Sequence, residues 1–166
     1  MMEPNFDALQ LIAEIALGIV GFSAILIGLS RTSDGFSLPD NFRIQLLTYS
    51  AFGAMFGSIL PFAIFGNQNN DLSWLITCWV LCIYSVIGLL VFPKKMLLLR
   101  KHGYKEIFPI TLYLFQTGVL SINFILSGLM IINVISQMTN TYIICLILFL
   151  IQSSVAFIRT MFVRVS

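Results

Sequence analysis

Residues 12–28 read IAEIALGIVGFSAILIG, an apolar run in which Glu14 is the single charged residue. With its flanks from 8 to 29 the run is long enough to cross the hydrocarbon core of a bilayer, which takes about 20 mostly apolar residues in a helix. An acid inside such a run makes the first question one of solvent. The second is what the acid faces.

Working outward, four more stretches have the same character: residues 42–65, 72–92, 108–135 and 142–163. They are separated by RTSDGFSLPDN, GNQNND, PKKMLLLRKHGYKEIFP and SQMTNT, and Pro39, Pro93 and Pro109 fall at the expected boundaries, where helices start or stop. Composition agrees. Apolar residues make up 58% of the 166-residue chain and charged residues 10%, whereas a soluble domain carries roughly 25% charged residues. The expected fold is all-α: a single domain, 1–166, forming a polytopic bundle of five transmembrane helices. Helices satisfy their own backbone groups in lipid. The opening segment does not read as a cleaved signal peptide, because Glu3 and Asp7 precede or begin it and no Lys or Arg does.

The nine basic residues are Arg31, Arg43, Lys94, Lys95, Arg100, Lys101, Lys105, Arg159 and Arg164. With five spans, all of them belong to the side shared by the first loop, the third loop and the C-terminus. By the positive-inside rule the N-terminus is then outside and the C-terminus cytoplasmic, in a cell membrane of the bacterial inner-membrane type. Trp74 and Tyr142 fall at the outer interface, and Tyr104 and Tyr113 near the inner one, where amphipathic rings settle. The third loop, 93–108, reads as a basic interfacial segment. Its Lys94, Lys95, Arg100, Lys101 and Lys105 would meet anionic lipid headgroups, and topology accounts for these charges without nucleic acid.

Each helix has a face of small or polar residues. On the first, Gln10, Glu14, Gly18, Gly21 and Gly28 lie within an arc of roughly 80°. On the second, Ser50, Gly53, Ala54, Gly57 and Pro61 share a side, and Gly53 and Gly57 have the GxxxG spacing that lets two helix backbones approach. Pro61 deprives the carbonyl of Gly57 of its helical donor, so a kink is expected there. The third helix offers Trp74, Cys78, Cys82 and Ser85; the fourth Gln116, Asn123 and Ser127; the fifth Cys145, Gln152, Ala156 and Arg159. These faces are expected to turn inward and pack. Gln116, Arg159 and Ser50 form a candidate polar cluster on the inner side.

Glu14 stands apart. It lies about six residues below the outer end of its span, or roughly 9 Å. The positions expected at that depth on the other helices are the region of Pro61, Thr77 with Cys78, Ser127 and Cys145, none of them basic. A carboxylate in low dielectric takes up a proton or meets water or a cation. Three arrangements follow: a protonated acid bonded to Ser127, Thr77 or a backbone carbonyl; an acid lining a wet cavity or the axis of a homo-oligomer; or a side chain reaching the headgroups beside Gln10. Glu14, Gln10 and Ser127 are therefore the candidate ion or proton site. Intramembrane acids are functional candidates by default.

Other chemistry is missing. The one histidine, His102, lies in the basic loop, and the three cysteines, Cys78, Cys82 and Cys145, lie in apolar runs. There is no metal-ligand cluster, no nucleophile–base pair and no phosphate-binding glycine loop. No cofactor and no enzymatic activity are expected. Ser37 and Asp40 have capping-box spacing, with Asp where Glu or Gln is usual.

Five spans of this length invite comparison with the tryptophan-rich TspO/translocator family, but its Trp- and Pro-rich signatures do not occur here; nor does the glycine–arginine signature of small fluoride channels. The run AEIALGIVGFSAI, about a tenth of the chain, resembles the start of small uncharacterised bacterial multi-pass membrane proteins and implies no activity. Two functions stay open. One is an oligomeric channel or translocator for a small cation or proton, with Glu14 as its intramembrane site. The other is a non-catalytic accessory or scaffold subunit of a larger membrane complex. Partners would be the lipid bilayer and a second copy or another membrane protein.

Overall fold

The computed structural model describes residues 4–30, 37–65, 70–135 and 137–162. Glu3, Arg31, Arg164 and most of the GNQNND turn lie outside them. Five helices are described: α1 (Phe6–Ser30), α2 (Leu38–Ile64), α3 (Asn70–Lys101), α4 (Ile110–Ile131) and α5 (Met138–Phe162). All five are long and apolar enough to cross a membrane, and no strand occurs among the described residues. The helices are covered with exposed large apolar side chains, including Phe22 at 67% and Leu114 at 62%. Water does not tolerate so much apolar surface. The chain has the make-up of a small multi-pass integral membrane protein.

The helix ends have local causes. At α1, Asn5 accepts from the Ala8 backbone N–H at 3.1 Å. At α2, the Ser37 hydroxyl oxygen accepts from the Asp40 N–H at 3.3 Å, and its proton goes to the Asp40 carboxylate at 2.6 Å. This cap starts α2 at Leu38, four positions before the apolar run, and accommodates Pro39 in the first turn.

Pro93 does not end α3, which continues to Lys101. The first half of the expected interfacial loop is therefore helical. One proline forfeits one helical hydrogen bond. Against that loss, Met96 and Leu99 beyond it are buried beside Phe42, Phe92, Phe108 and Leu112. Burial of this kind stabilises by roughly 1.5–3 kcal/mol per large side chain, enough to carry the helix through. The chain then turns back through 102–109, with Gly103 at φ +97, a backbone region favourable to glycine.

Successive helices alternate in direction. The Phe6 and Phe62 rings, 4.8 Å apart, join the start of α1 to the end of α2. The stacked rings of Tyr49 and Tyr84, 4.3 Å apart, fix α2 against α3. Cys78 Sγ lies 4.0 Å from Met130 Sδ, pairing the first part of α3 with the last part of α4. The main seams are α2 on α5 and α3 on α4, while α1 lies on the flank and packs against α2 and α5. The core falls into two apolar clusters. One, nearer the N-terminal end of the bundle, holds Trp74, Cys78, Leu81, Met130, Tyr142, Leu146 and Phe149. The other, at the basic end, holds Phe42, Leu46, Phe92, Met96, Phe108 and Ala156.

Inside the bundle, short hydroxyl side chains bond back to their own helices. Ser23, Ser58, Thr77 and Ser85 donate to the carbonyls of Ile19, Ala54, Ser73 and Leu81. Each therefore packs as a small residue without needing a partner on another helix.

Candidate functional site

The small-and-polar face of α1 does not turn inward. The buried side of α1 is Leu9, Ile12, Ala16 and Ser23, at 1%, 5%, 0% and 4% exposure. At 100° per residue it lies roughly opposite Gln10, Glu14, Gly21 and Gly28, all of which are exposed. The glycines tell the same story: a Cβ added at Gly18, Gly21 or Gly28 would meet nothing within 4 Å. Gly18 and Gly21 are thus not packing positions within this chain. The physical reason is volume. Leu9, Ile12 and Ala16 fill the groove over α2 and α5, whereas a glycine and polar face would leave it unfilled and would bury a carboxylate.

On the open face the Gln10 side-chain amide donates to Glu14 Oε1 at 2.9 Å. Glu14 is the ninth of the 25 residues of α1, one turn before the helix centre at Gly18, and well inside the stretch that is long and apolar enough to cross a membrane. Ser127 does not join it. That side chain is fully buried on α4 and donates to the Phe124 carbonyl at 3.0 Å. Thr77 is likewise bonded to Ser73. Of the sequence-derived site, the structure assembles Gln10 with Glu14 and leaves Ser127 in the core.

The GxxxG pair of α2 works differently from a backbone seam. A Cβ at Gly53 would stand 2.6 Å from Tyr84 Cε1, and one at Gly57 would stand 2.6 Å from Leu146 Cδ2. The two glycines are separate slots, one receiving a ring of α3 and the other a side chain of α5. Gly57 has a second role, because its carbonyl, freed by Pro61, accepts the Tyr142 hydroxyl at 2.6 Å. Tyr142 and Trp74 are accordingly buried, at 1% and 4%. Their rings lie edge to face at 5.9 Å, inside the bundle and not in a lipid-facing belt.

The expected cluster of Gln116, Arg159 and Ser50 is not joined by hydrogen bonds. Arg159 Nη2 donates to the Ile107 carbonyl at 2.5 Å, Gln116 is buried at 6%, and Ser50 is fully buried. Arg100 donates to the neighbouring carbonyl of Phe108. Two arginines therefore hold the turn before α4. Arg43, 2% exposed, joins them from α2. It is paired with Asp40 at 3.2 Å and lies 5.8 Å from the Phe108 ring centroid. Sequence reading counted Arg43 as one more positive charge; its capping-box neighbour Asp40, three residues earlier, was the available signal for a buried pair. Lys94, Lys101 and Lys105 are exposed, and Lys95 donates to Gln45 at 2.8 Å.

Two amides gain importance from the structure. Asn123 and Gln152 are 0% exposed. Neither has a hydrogen-bond partner among the described residues, and the same holds for Ser50 Oγ. A buried amide left without a partner costs roughly 1–3 kcal/mol. The three cysteines are buried free thiols. Among the described residues no cluster of three or more His, Cys, Asp or Glu is placed to hold a metal.

Searches against protein-family profiles, characterised proteins and solved structures give no match.

Proposed function

We propose that this protein self-associates in the membrane through the open face of α1, and that Glu14 residues of neighbouring copies form a site for a proton or small cation. One observation carries the reading: the hydrogen-bonded Gln10–Glu14 pair lies on an exposed side of α1, away from the side that packs on the other described helices. An acidic side chain at the centre of a lipid-facing helix costs about 2.5–3.5 kcal/mol on insertion scales. A second copy meeting the same face removes the acid from lipid. The bare backbone at Gly18 and Gly21 admits a close helix neighbour, and the acids of adjacent copies then share water, a proton or a cation. In this reading the basic end faces the cytoplasm of a bacterial-type cell, Lys94, Lys101 and Lys105 contact anionic headgroups, and the protein has no catalytic role.

The test is flux in proteoliposomes, read for protons, Na⁺ and K⁺, beside the oligomeric state in native nanodiscs. The expected result is an oligomer that conducts one of these ions, with Glu14→Gln lowering the flux by about tenfold or more, equivalent to ~1.4 kcal/mol in the barrier. A monomer, or a flux that Glu14→Gln leaves unchanged, overturns the reading.

The same open acid favours a second reading, an accessory subunit whose partner helix supplies a Lys or Arg to Glu14. An oligomer with no flux for any ion, and a partner complex lost on Glu14→Gln, would decide for it.

A further inference from the structure

Polar side chains are buried at mid-bundle: Ser50 and Gln152 fall between the two apolar clusters on α2 and α5, and Asn123 and Ser85 lie among residues of the first cluster on α4 and α3. The level of each is set by contacts around it. Tyr49 and Tyr84 each donate a hydroxyl proton to the other's carbonyl, which sets Ser50 of α2 near the level of Ser85 of α3. A Cβ at Gly88 would meet Leu120 Cδ2 at 3.0 Å, and Cys78 meets Met130; the same offset along α3 and α4 sets Asn123 opposite Ser85. The Tyr84 ring lies 5.7 Å from the Phe149 ring, so Gln152 follows within about one turn, or ~5 Å. Ser50, Ser85, Asn123 and Gln152 are all 0% exposed.

The chemistry of the unsatisfied atoms is specific. Ser50 Oγ, Asn123 Nδ2 and Oδ1, and Gln152 Nε2 and Oε1 have no partner among the described residues. The set contains donors and acceptors in both amides. Ser85 gives its proton to Leu81 and Ser153 gives its own to Leu150, so each retains acceptor capacity. No formal charge resides on any of these side chains. A cation would satisfy the oxygens and leave the amide N–H groups bare; an anion would do the reverse. A neutral molecule that both donates and accepts satisfies all of them. Buried polar groups are usually met by protein or by ordered water making about three hydrogen bonds.

We infer that the bundle carries an internal hydration site at mid-height, in which water bridges Asn123, Gln152 and Ser50 among apolar core side chains. The site is within one protomer and does not depend on Glu14 or on self-association.

The test uses the full-length chain, ¹⁵N-labelled, in lipid nanodiscs. Water-selective NMR transfer is read at the side-chain amides of Asn123 and Gln152, which are assigned from Asn123→Leu and Gln152→Leu, or from Asn123→Ser and Gln152→Ser if the leucine variants do not fold. The expected result is transfer from water to both amide groups, unchanged by exchanging Na⁺ for K⁺ and retained in Glu14→Gln. Loss of one amide should perturb the chemical shifts of the other. Three outcomes overturn the inference: no transfer at either amide, a scalar coupling showing that Asn123 and Gln152 bond directly to each other, or amide shifts that saturate with added Na⁺ or K⁺.

Discussion

The hydroxyl of Tyr142 donates to the carbonyl of Gly57 at 2.6 Å, across 85 residues of sequence. Pro61, one turn after Gly57 in α2, has no N–H to offer that carbonyl. The defect that proline makes in one helix is thus repaired by a tyrosine from another, and the repair fastens α5 to α2 at their longest seam.

Removing the repair should be measurable. Tyr142→Phe keeps the ring between Trp74 and Gly57 but leaves the carbonyl bare, and should cost about 1–3 kcal/mol. Pro61→Ala restores a backbone N–H to the same carbonyl. In a double-mutant cycle, followed by unfolding in detergent, the cost of Tyr142→Phe should shrink in the Pro61→Ala background. Strict additivity of the two would count against this account of the bond.

The glycines should divide into two classes. At Gly53 an added methyl runs into Tyr84, whose ring is stacked on Tyr49 and bonded at its hydroxyl, so the ring cannot move aside cheaply. Gly53→Ala should destabilise by about 1–3 kcal/mol. Gly18→Ala and Gly21→Ala point into open space and should leave monomer stability within about 0.5 kcal/mol, or raise it slightly through helix propensity. Gly21→Leu should leave the fold intact and weaken self-association, as read by cross-linking in nanodiscs.

Glu14→Gln separates function from folding. The carboxylate is exposed and meets Gln10 on its own helix, so thermal stability of the detergent-solubilised monomer should change by less than about 0.5 kcal/mol. A large loss of monomer stability would mean that Glu14 is a packing residue.

Asp40→Asn should act at the opposite end of the bundle. The Arg43 side chain is 3% exposed and that of Asp40 25%. Removing the acid takes a charge-assisted bond from a buried guanidinium and an acidic residue from the first turn of α2. With Asp40 partly solvated, the expected cost is about 1–3 kcal/mol, with weak dependence on salt because the pair is largely shielded from ions. A change below about 0.5 kcal/mol, measured by denaturant unfolding, would place the pair among ordinary surface ion pairs.

Legibility in the sequence differed by helix. On α3, Trp74, Cys78, Cys82 and Ser85 were read as one face, and all four are buried. Asn123 and Gln152, read on the inner faces of α4 and α5, are fully buried as well. On α1 the same reasoning chose the wrong side. A polar-and-small face usually marks the interior of a membrane bundle, but α1 is a flanking helix whose groove on α2 and α5 is filled by Leu9, Ile12 and Ala16. The periodicity of α1 marks one side as polar, with Asp7, Gln10 and Glu14 on it and otherwise apolar or small residues on both faces, but it does not say which side packs. Helix extension past Pro93 was hidden for a related reason: a proline reports a lost hydrogen bond, not the packing of Met96 and Leu99 beyond it.

The sequence by itself determined that the chain forms five helices long and apolar enough to cross a membrane. Their lengths, and the charge-poor runs between polar turns, follow from the free energy of placing side chains and peptide groups in hydrocarbon, which is a property of each segment alone. Only the tertiary structure decided which way each helix is turned: that Glu14 faces outward, that Gly53 and Gly57 receive side chains from two different helices, and that the side chains of Ser50, Asn123 and Gln152 are fully buried. Rotation about a helix axis is set by shape and volume against its neighbours, and in lipid, where both faces of a helix are nearly equally apolar, hydrophobicity offers almost no preference.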